Sequence, residues 1–407
     1  NKNTTVTIEA PEINSYTGWT ARYWTTGTEA NAEETLANGG TIENASENAT
    51  YYARYTQSIE VSFNLNEGEG ETPETIRGDR EVNSYDVNTI INPEITMPET
   101  NASKVGYEFG GWNTQENGEG TNYTAGTKYD FGETTILYAK WTQNEYTVEY
   151  NGNGATGGST ESSTHIYDEA KELTANGYVR EYEVTYNYNG NGEEEKTEKV
   201  TYTFNGWNTQ ANGEGTSYGD RQTVENLTET IGGTVTLYAM WNPSSVTLPT
   251  PEREGYTFVG WYDAQEEGEK VGEGGASYTP TENKKLYAHW EAKEYEVTYN
   301  YEENGGTSST KESEKVKYGN AIDLTATAEK AGYEFVGWNT DKDAQTELSE
   351  LRMGTDNIIL YAIYKKEITL TFIDYNGEEK TTRTERETAY NKNTTVTIEA
   401  PEINSYT

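Results

Sequence analysis

The sequence predicts a mainly β chain of small tandem modules strung out one after another, and three observations carry that prediction. The first is strict period-two alternation with aromatic and β-branched residues on one face, the signal of a strand buried on one side. It occurs at Ile59/Val61/Phe63/Leu65, Tyr146/Val148/Tyr150, Tyr182/Val184/Tyr186/Tyr188, Tyr295/Val297/Tyr299/Tyr301 and Ile368/Leu370/Phe372. The second is a pair of aromatic signatures, a Gly-Tyr-x-Phe-x-Gly-Trp string and, further on, Leu-Tyr-Ala-x-Trp, found five times with variations. The third is an identity: NKNTTVTIEAPEINSYT opens the chain at Asn1 and recurs at Asn391, a period of 390 residues. Identity over that length marks a tandem array seen for one period plus an overlap, and such arrays usually build length rather than catalyse.

Taken from the N-terminus, residues 1–55 read as the second half of a module. Gly18-Trp19-Thr20-Ala21-Arg22-Tyr23-Trp24 and Tyr51-Tyr52-Ala53-Arg54-Tyr55 stand for the two signatures, with no alternating hairpin before them. Residues 56–141 supply an alternating hairpin, then Gly106-Tyr107-Glu108-Phe109-Gly110-Gly111-Trp112, then Leu137-Tyr138-Ala139-Lys140-Trp141. Residues 142–241 form an enlarged module, because an extra strand pair lies between Arg180 and Tyr202, and Tyr202-Thr203-Phe204-Asn205-Gly206-Trp207 follows Thr201 instead of glycine. Residues 242–290 form a short module around Gly255-Tyr256-Thr257-Phe258-Val259-Gly260-Trp261, with no room for a leading hairpin. The tryptophan spacing shows the imbalance, 95 residues from Trp112 to Trp207 but 54 from Trp207 to Trp261. The surplus strands of the one could fill the empty sheet position of the other. Residues 291–364 are an ordinary module ending in Leu360-Tyr361-Ala362-Ile363-Tyr364, and residues 365–407 are a leading hairpin to be completed by the next copy.

Several alternating strands run into Asn151-Gly152-Asn153-Gly154, Asn189-Gly190-Asn191-Gly192, Asn304-Gly305-Gly306 or Asn376-Gly377, where a positive φ is cheap and a hairpin turns. Short helical connectors are expected at 168–175 and 321–330. Joined head to tail, the hairpin from Ile368 to Tyr390 would pair with residues 1–55 of the next copy. The two seventeen-residue copies should then share one conformation, and the short junctions predict a stiff string.

The signature that runs from Trp112-Asn113-Thr114 through Gly118-Glu119-Gly120-Thr121-Asn122-Tyr123 to Leu137-Tyr138-Ala139-Lys140-Trp141 resembles the Listeria–Bacteroides repeat, related to the B-repeats of internalin-type surface proteins. The resemblance spans almost the whole chain. It implies a β-grasp-like fold and a place in the stalk of a bacterial cell-surface protein, and it brings no catalytic residue with it.

Composition fits an extracellular, structural protein. The 407 residues include no cysteine, so disulfides and thiolate metal sites are excluded. Only 32% of residues are hydrophobic, and 30 basic against 69 acidic side chains give a net charge of −39. Those values would suggest disorder in an irregular sequence, but here 34 tyrosines and nine tryptophans fall on motif positions. The charge repels phosphates and no basic stripe appears, which argues against nucleic-acid partners. No run approaches the roughly eighteen apolar residues of a membrane span, so no membrane insertion is expected in this segment.

The chemistry-bearing residues are few. His165 and His289 lie in different modules, which leaves nucleophilic triads without a base and zinc without ligands; no enzymatic function and no cofactor are expected. Calcium is the one metal candidate, because Asp341, Asp343, Gln345 and Glu347 put oxygen ligands on alternate residues of a loop. That loop has no glycine at its sixth position, and an acidic solvated turn is the plainer reading. The tryptophans could stack on sugars, but Trp24, Trp112, Trp207, Trp261 and Trp338 recur once per module, as core residues do. Sequons at Asn3, Asn44, Asn48, Asn101, Asn122 and Asn226 are as frequent as an Asn- and Thr-rich chain produces by chance. Two function classes remain: a cell-surface stalk or filament subunit whose partners are further copies of itself, or an adhesin that binds a host or neighbouring-cell ligand through module loops.

Overall fold

The computed structural model describes residues 6–375, 378–393 and 395–403, and every regular element among them is a β-strand. The Asn376-Gly377 turn, the Asn3 sequon and parts of both seventeen-residue copies lie outside the described residues. Two compact units divide the chain: Asn1–Val179 with Phe204–Trp241, and Arg180–Thr203 with Asn242–Thr407.

One sheet plan recurs in both units. In the third module the order is Ser163–Ile166, Glu145–Asn151, Thr234–Asn242, Thr203–Asn208, Ser217–Tyr218. A leading hairpin thus lies beside a second hairpin made of the tryptophan strand and the closing strand. The two central strands are parallel, with Val148 opposite Val235 and Tyr150 opposite Leu237. The same register joins Val61 to Thr135 and Phe63 to Leu137 in the second module, and Val297 to Ile358 and Tyr299 to Leu360 in the fifth. Alternation then sends one face of each leading strand into the core. Four apolar clusters result among the described residues, one in each of the second to fifth modules.

The extra strand pair of residues 142–241 belongs, by its pairing, to a different sheet. Glu181–Asn187 pairs with Lys196–Thr201 and, in parallel, with Lys284–Ala292, so that Val184 faces Lys284 and Tyr186 faces Leu286. The chain leaves the third module after Val179, builds the missing leading hairpin of the short fourth module, and returns at Phe204. Thr201 can replace the usual glycine because it ends a strand, opposite Glu181, and the Tyr202 N–H continues the ladder to the Arg180 carbonyl.

Two module limits fall inside strands. Tyr52–Asn64 carries the first closing signature straight into the second module's leading strand, and Ile358–Tyr375 does the same after the fifth. Limits at 55/56 and 364/365 therefore cut continuous ladders. No Asn, Gly or Pro interrupts Thr56-Gln57-Ser58 or Lys365-Lys366-Glu367, whereas single non-strand residues, Asn144 and Lys293, separate the strands near the limits 141/142 and 290/291.

The expected helical connectors are absent. Residues 168–175 and 321–330 contain no helix, with short strands at Lys171–Glu172 and Ala328–Glu329. In the fifth module the tryptophan gives the reason: Trp338 donates its indole N–H to the crossing-segment carbonyl of Ala326 (2.6 Å), as Trp112 and Trp261 do to Pro98 (2.8 Å) and Pro249 (2.7 Å), whereas in the third module the Trp207 indole N–H has no partner among the described residues and Lys171–Glu172 pairs instead with Thr223–Val224. A helix would use those carbonyls itself. The two seventeen-residue copies also differ where both are described. Val6–Glu9 is a strand paired with Thr41–Ala45, while Val396–Glu399 lies in no strand. A lone strand needs a partner, and no counterpart of Thr41–Ala45 follows the second copy within these 407 residues.

Candidate functional site

Each complete module is closed around its tryptophan by a ring from the leading strand. Phe63 meets Trp112 at 4.7 Å between centroids, Tyr150 meets Trp207 at 4.7 Å, Tyr186 meets Trp261 at 5.1 Å and Tyr299 meets Trp338 at 5.1 Å. All four tryptophans are buried, so they are core residues and not sugar platforms. The tryptophans of the closing strands are partly buried, and Trp141, Trp241 and Trp290 donate to the carbonyls of Leu65, Gly152 and Tyr188 in their own leading hairpins. The asparagine after Trp112 also has a structural role. The Asn113 amide donates to the Gly118 and Gly120 carbonyls, and its oxygen accepts from the Gln115 and Gly120 N–H groups, which sets the Gly-x-Gly loop. Asn208 repeats the arrangement.

The joint between modules is built from the glycine of Gly-Tyr-x-Phe. Gly106 has φ +78° and Gly255 φ +75°, and a Cβ on either would collide with a tyrosine ring of the following hairpin, Tyr167 or Tyr318. Around the first joint, the Asn144 N–H donates to the Gly106 carbonyl and the Tyr167 N–H to the Asn144 carbonyl, both at 2.9 Å. Lys293, Gly255 and Tyr318 repeat this pair of bonds in the second unit. The Tyr107 hydroxyl adds a 2.8 Å bond to Asp168, whose carboxyl is held below the usual range by the Asn226 amide first and Tyr107 second.

The first module departs from this plan. Trp24 is only partly buried, no leading-strand ring touches it, and it belongs to none of the four buried clusters among the described residues. Its indole still reaches its crossing segment, at the Pro11 carbonyl (2.9 Å). Trp24, Tyr51, Ile8, Pro11, Leu36 and Ile42 line an open apolar groove of about 270 Å³. In the complete modules the closing strand begins two or three residues before its leucine, at Thr135, Thr234, Lys284 and Ile358. Here it begins at Tyr52, one residue after Tyr51 in the leucine slot, and Ala49, Thr50 and Tyr51 are in no strand. The missing stretch is the one that elsewhere pairs in parallel with a leading strand.

The last hairpin has the opposite surplus. Lys365–Tyr375 pairs residue for residue with Lys380–Tyr390, and among the described residues no strand lies along the other edge of Ile368–Tyr375. Leu370 occupies the slot of Val61 and Val148; those are 0% exposed, but Leu370 is 43% exposed.

The calcium candidates are not gathered. Asp341 Oδ1 accepts from the Asp343 N–H, the Asp343 carboxylate pairs with Lys342 at 3.0 Å, and Glu347 packs over Gly337. Among the described residues no group of three acids or histidines is placed to hold a metal ion. His165 is buried against Tyr146, and burial pulls its pKa down. His289 is partly buried and stacks on Tyr262 at 3.9 Å. The sequence alone also missed Arg54. It fills the variable slot of its signature yet is buried, with Nη2 3.0 Å from Glu81 and no partner for Nε or Nη1. The length of the hairpin after it was the available signal, because the return strand Ile76–Asn83 passes beside Arg54.

No helix among the described residues is long and apolar enough to cross a membrane. A protein designated a Gly-rich membrane protein in Evansella cellulosilytica is 30% identical over 322 residues, which are 71% of this chain and 34% of that protein. A second designated membrane protein of that organism is 28% identical over 309 residues, 66% of this chain and 39% of its own length. Internalin H of Listeria monocytogenes is 34% identical over 118 residues, 28% of this chain and 20% of that protein. The chain thus spans a fifth to two-fifths of the relatives it matches. The Listeria-Bacteroides repeat domain model matches residues 60–140, 241–289 and 295–363, the segments that hold the tryptophan and closing strands of the second, fourth and fifth modules. These three segments are Listeria-Bacteroides repeat domains.

Proposed function

We propose that this chain is the structural repeat unit of an extracellular stalk or filament at the cell surface, with copies joined head to tail at a 390-residue period and no enzymatic activity. The observation that carries this is the identity of Asn1–Thr17 and Asn391–Thr407, since near-perfect large repeats suit a spacer and a binding tip is usually unique. The joints support it: a single residue between strands, fixed by backbone bonds and a tyrosine over a glycine, resists bending within each unit. The net charge of −39 keeps long polymers apart. The internalin and membrane-protein relatives support a surface location. Electron microscopy of the native cell surface tests the proposal. Filaments that label with antibody to this chain and show an axial repeat are expected. Isolated molecules with saturable ligand binding would instead assign it to the adhesins.

A further inference from the structure

The groove at Trp24 and the bare strand at Leu370 each lack what the complete modules supply. Four complete modules define what a leading strand does: it pairs in parallel with the closing strand, one residue opposite the leucine slot and another two residues earlier, and sets an aromatic ring on the tryptophan. Phe372 follows Leu370 by two, as Phe63 follows Val61 and Tyr150 follows Val148. Transferring that register to the first module puts Phe372 opposite Tyr51 and Leu370 opposite Ala49.

We propose that the open edge of Ile368–Ile373 in one copy adds in parallel to Ala49–Tyr52 of a second copy, with Phe372 seated on Trp24. This rests on the head-to-tail reading and names the interface that reading needs. Docking converts Ala49–Tyr51 to strand, brings Trp24 to the burial of Trp112, and covers Leu370. It also pairs the open edge of Ile368–Ile373, which folded proteins otherwise avoid exposing. The occupant is a second copy of this chain, because its exposed Leu370 and half-buried Phe372 repeat the spacing and the size order, aliphatic then aromatic, of the strands that fill the same site in the complete modules.

A chain without cysteine allows a direct test by disulfide trapping. Thr50 and Thr371 are both exposed, and the register that places Ser62 opposite Ile136 places Thr371 opposite Thr50. The substrate is a head-to-tail fusion of residues 1–390 with the full chain, carrying Thr371→Cys in the first copy and Thr50→Cys in the second. On mild oxidation a linked peptide is expected by mass spectrometry. Moving the first substitution to Thr369→Cys, two residues along the same face, should lower its yield at least about tenfold. Leu370→Asp in the first copy should do the same with the circular dichroism unchanged. The proposal is overturned if the Thr50/Thr371 pair fails to link while both copies retain their β spectrum, or if Thr369→Cys links as well. It is also overturned if a single chain bearing both substitutions closes on itself at every dilution. Trapping in the proposed register with no filaments on cells would leave the interface standing and end the stalk reading; filaments with no trapped pair would do the reverse.

Discussion

Replacing a tryptophan of the Gly-Trp slot by alanine should cost very different amounts at Trp112 and Trp24, although the sequence presents them as equivalents. Trp112 is 0% exposed, with Phe63 and Phe109 at 4.7 and 5.3 Å and its indole bonded to Pro98. Removing about 200 Å² of buried aromatic surface at roughly 25 cal/mol per Å² gives an upper figure near 5 kcal/mol. Partial collapse lowers it and the unpaired Pro98 carbonyl raises it, so about 4 kcal/mol is expected. Trp24 keeps its bond to Pro11 but lacks a leading-strand ring and faces solvent on that side. About 2 kcal/mol is expected there. Hydrogen exchange resolves the two sites in one chain, because the amides of Tyr107–Asn113 report the second module and those of Thr20–Thr25 the first. Equal losses in the two variants would refute the claim that the first module is open at its tryptophan. In the head-to-tail fusion, the cost at Trp24 of the second copy should rise towards that at Trp112.

Four further outcomes follow from the geometry. Glu81→Gln should destabilise the first unit by about 3 kcal/mol, because it leaves the buried Arg54 charge without its carboxylate, while Arg54→Ile should be neutral or stabilising, as Ile363 fills the matching slot; urea melts of the two variants decide this. Gly255→Ala should cost about 2–3 kcal/mol, since it adds displacement of the Tyr318 ring to a φ of +75°, whereas Gly332→Ala, at the same φ with nothing over it, should cost about 1 kcal/mol, both read from melting temperature. Thr325 first and Lys311 next hold the Asp323 carboxyl down to about 2, so its contribution is fully present above the unfolded carboxylate pKa of about 4 and is lost as pH falls through about 2. With its side chain 40% exposed the effect is modest, and the melting-temperature gap between the native chain and Lys311→Met should be flat from neutral pH to about 5 and close below about 4. Calorimetry with millimolar calcium should show no heat assignable to Asp341–Glu347, because Asp343 is already paired with Lys342; heat lost in Asp341→Asn would revive a metal site there.

The strands and their inward faces were legible in the sequence, because alternation is a local signal and each module repeats it. The exchange of the Glu181–Thr201 hairpin was legible from the surplus strand pair, the missing leading hairpin of residues 242–290 and the unequal tryptophan spacing; its register on a partner 100 residues away, Val184 opposite Lys284, is encoded by no local pattern. The fused strands were hidden because a module limit was placed at the end of a signature, while a ladder stops only where a residue breaks it. The crossing segment of the fifth module looked like a short helix because what keeps it out of one, the Trp338 indole N–H on the Ala326 carbonyl, comes from a strand that follows it in the chain. Arg54 was hidden for a related reason: whether a variable slot is wet or dry depends on the strand that later returns beside it.

The exchanged hairpin also governs what heredity and protein engineering can do with this chain. Any cut between Glu145 and Ala292 removes a strand from a sheet that needs it, so the third and fourth repeats can be gained, lost or transplanted only as a couple. A gene boundary drawn at Trp241, where the motif count would put it, yields one fragment with a spare hairpin and another with a sheet missing its parallel strand. Duplication by whole periods spares that couple; duplication by single motifs does not.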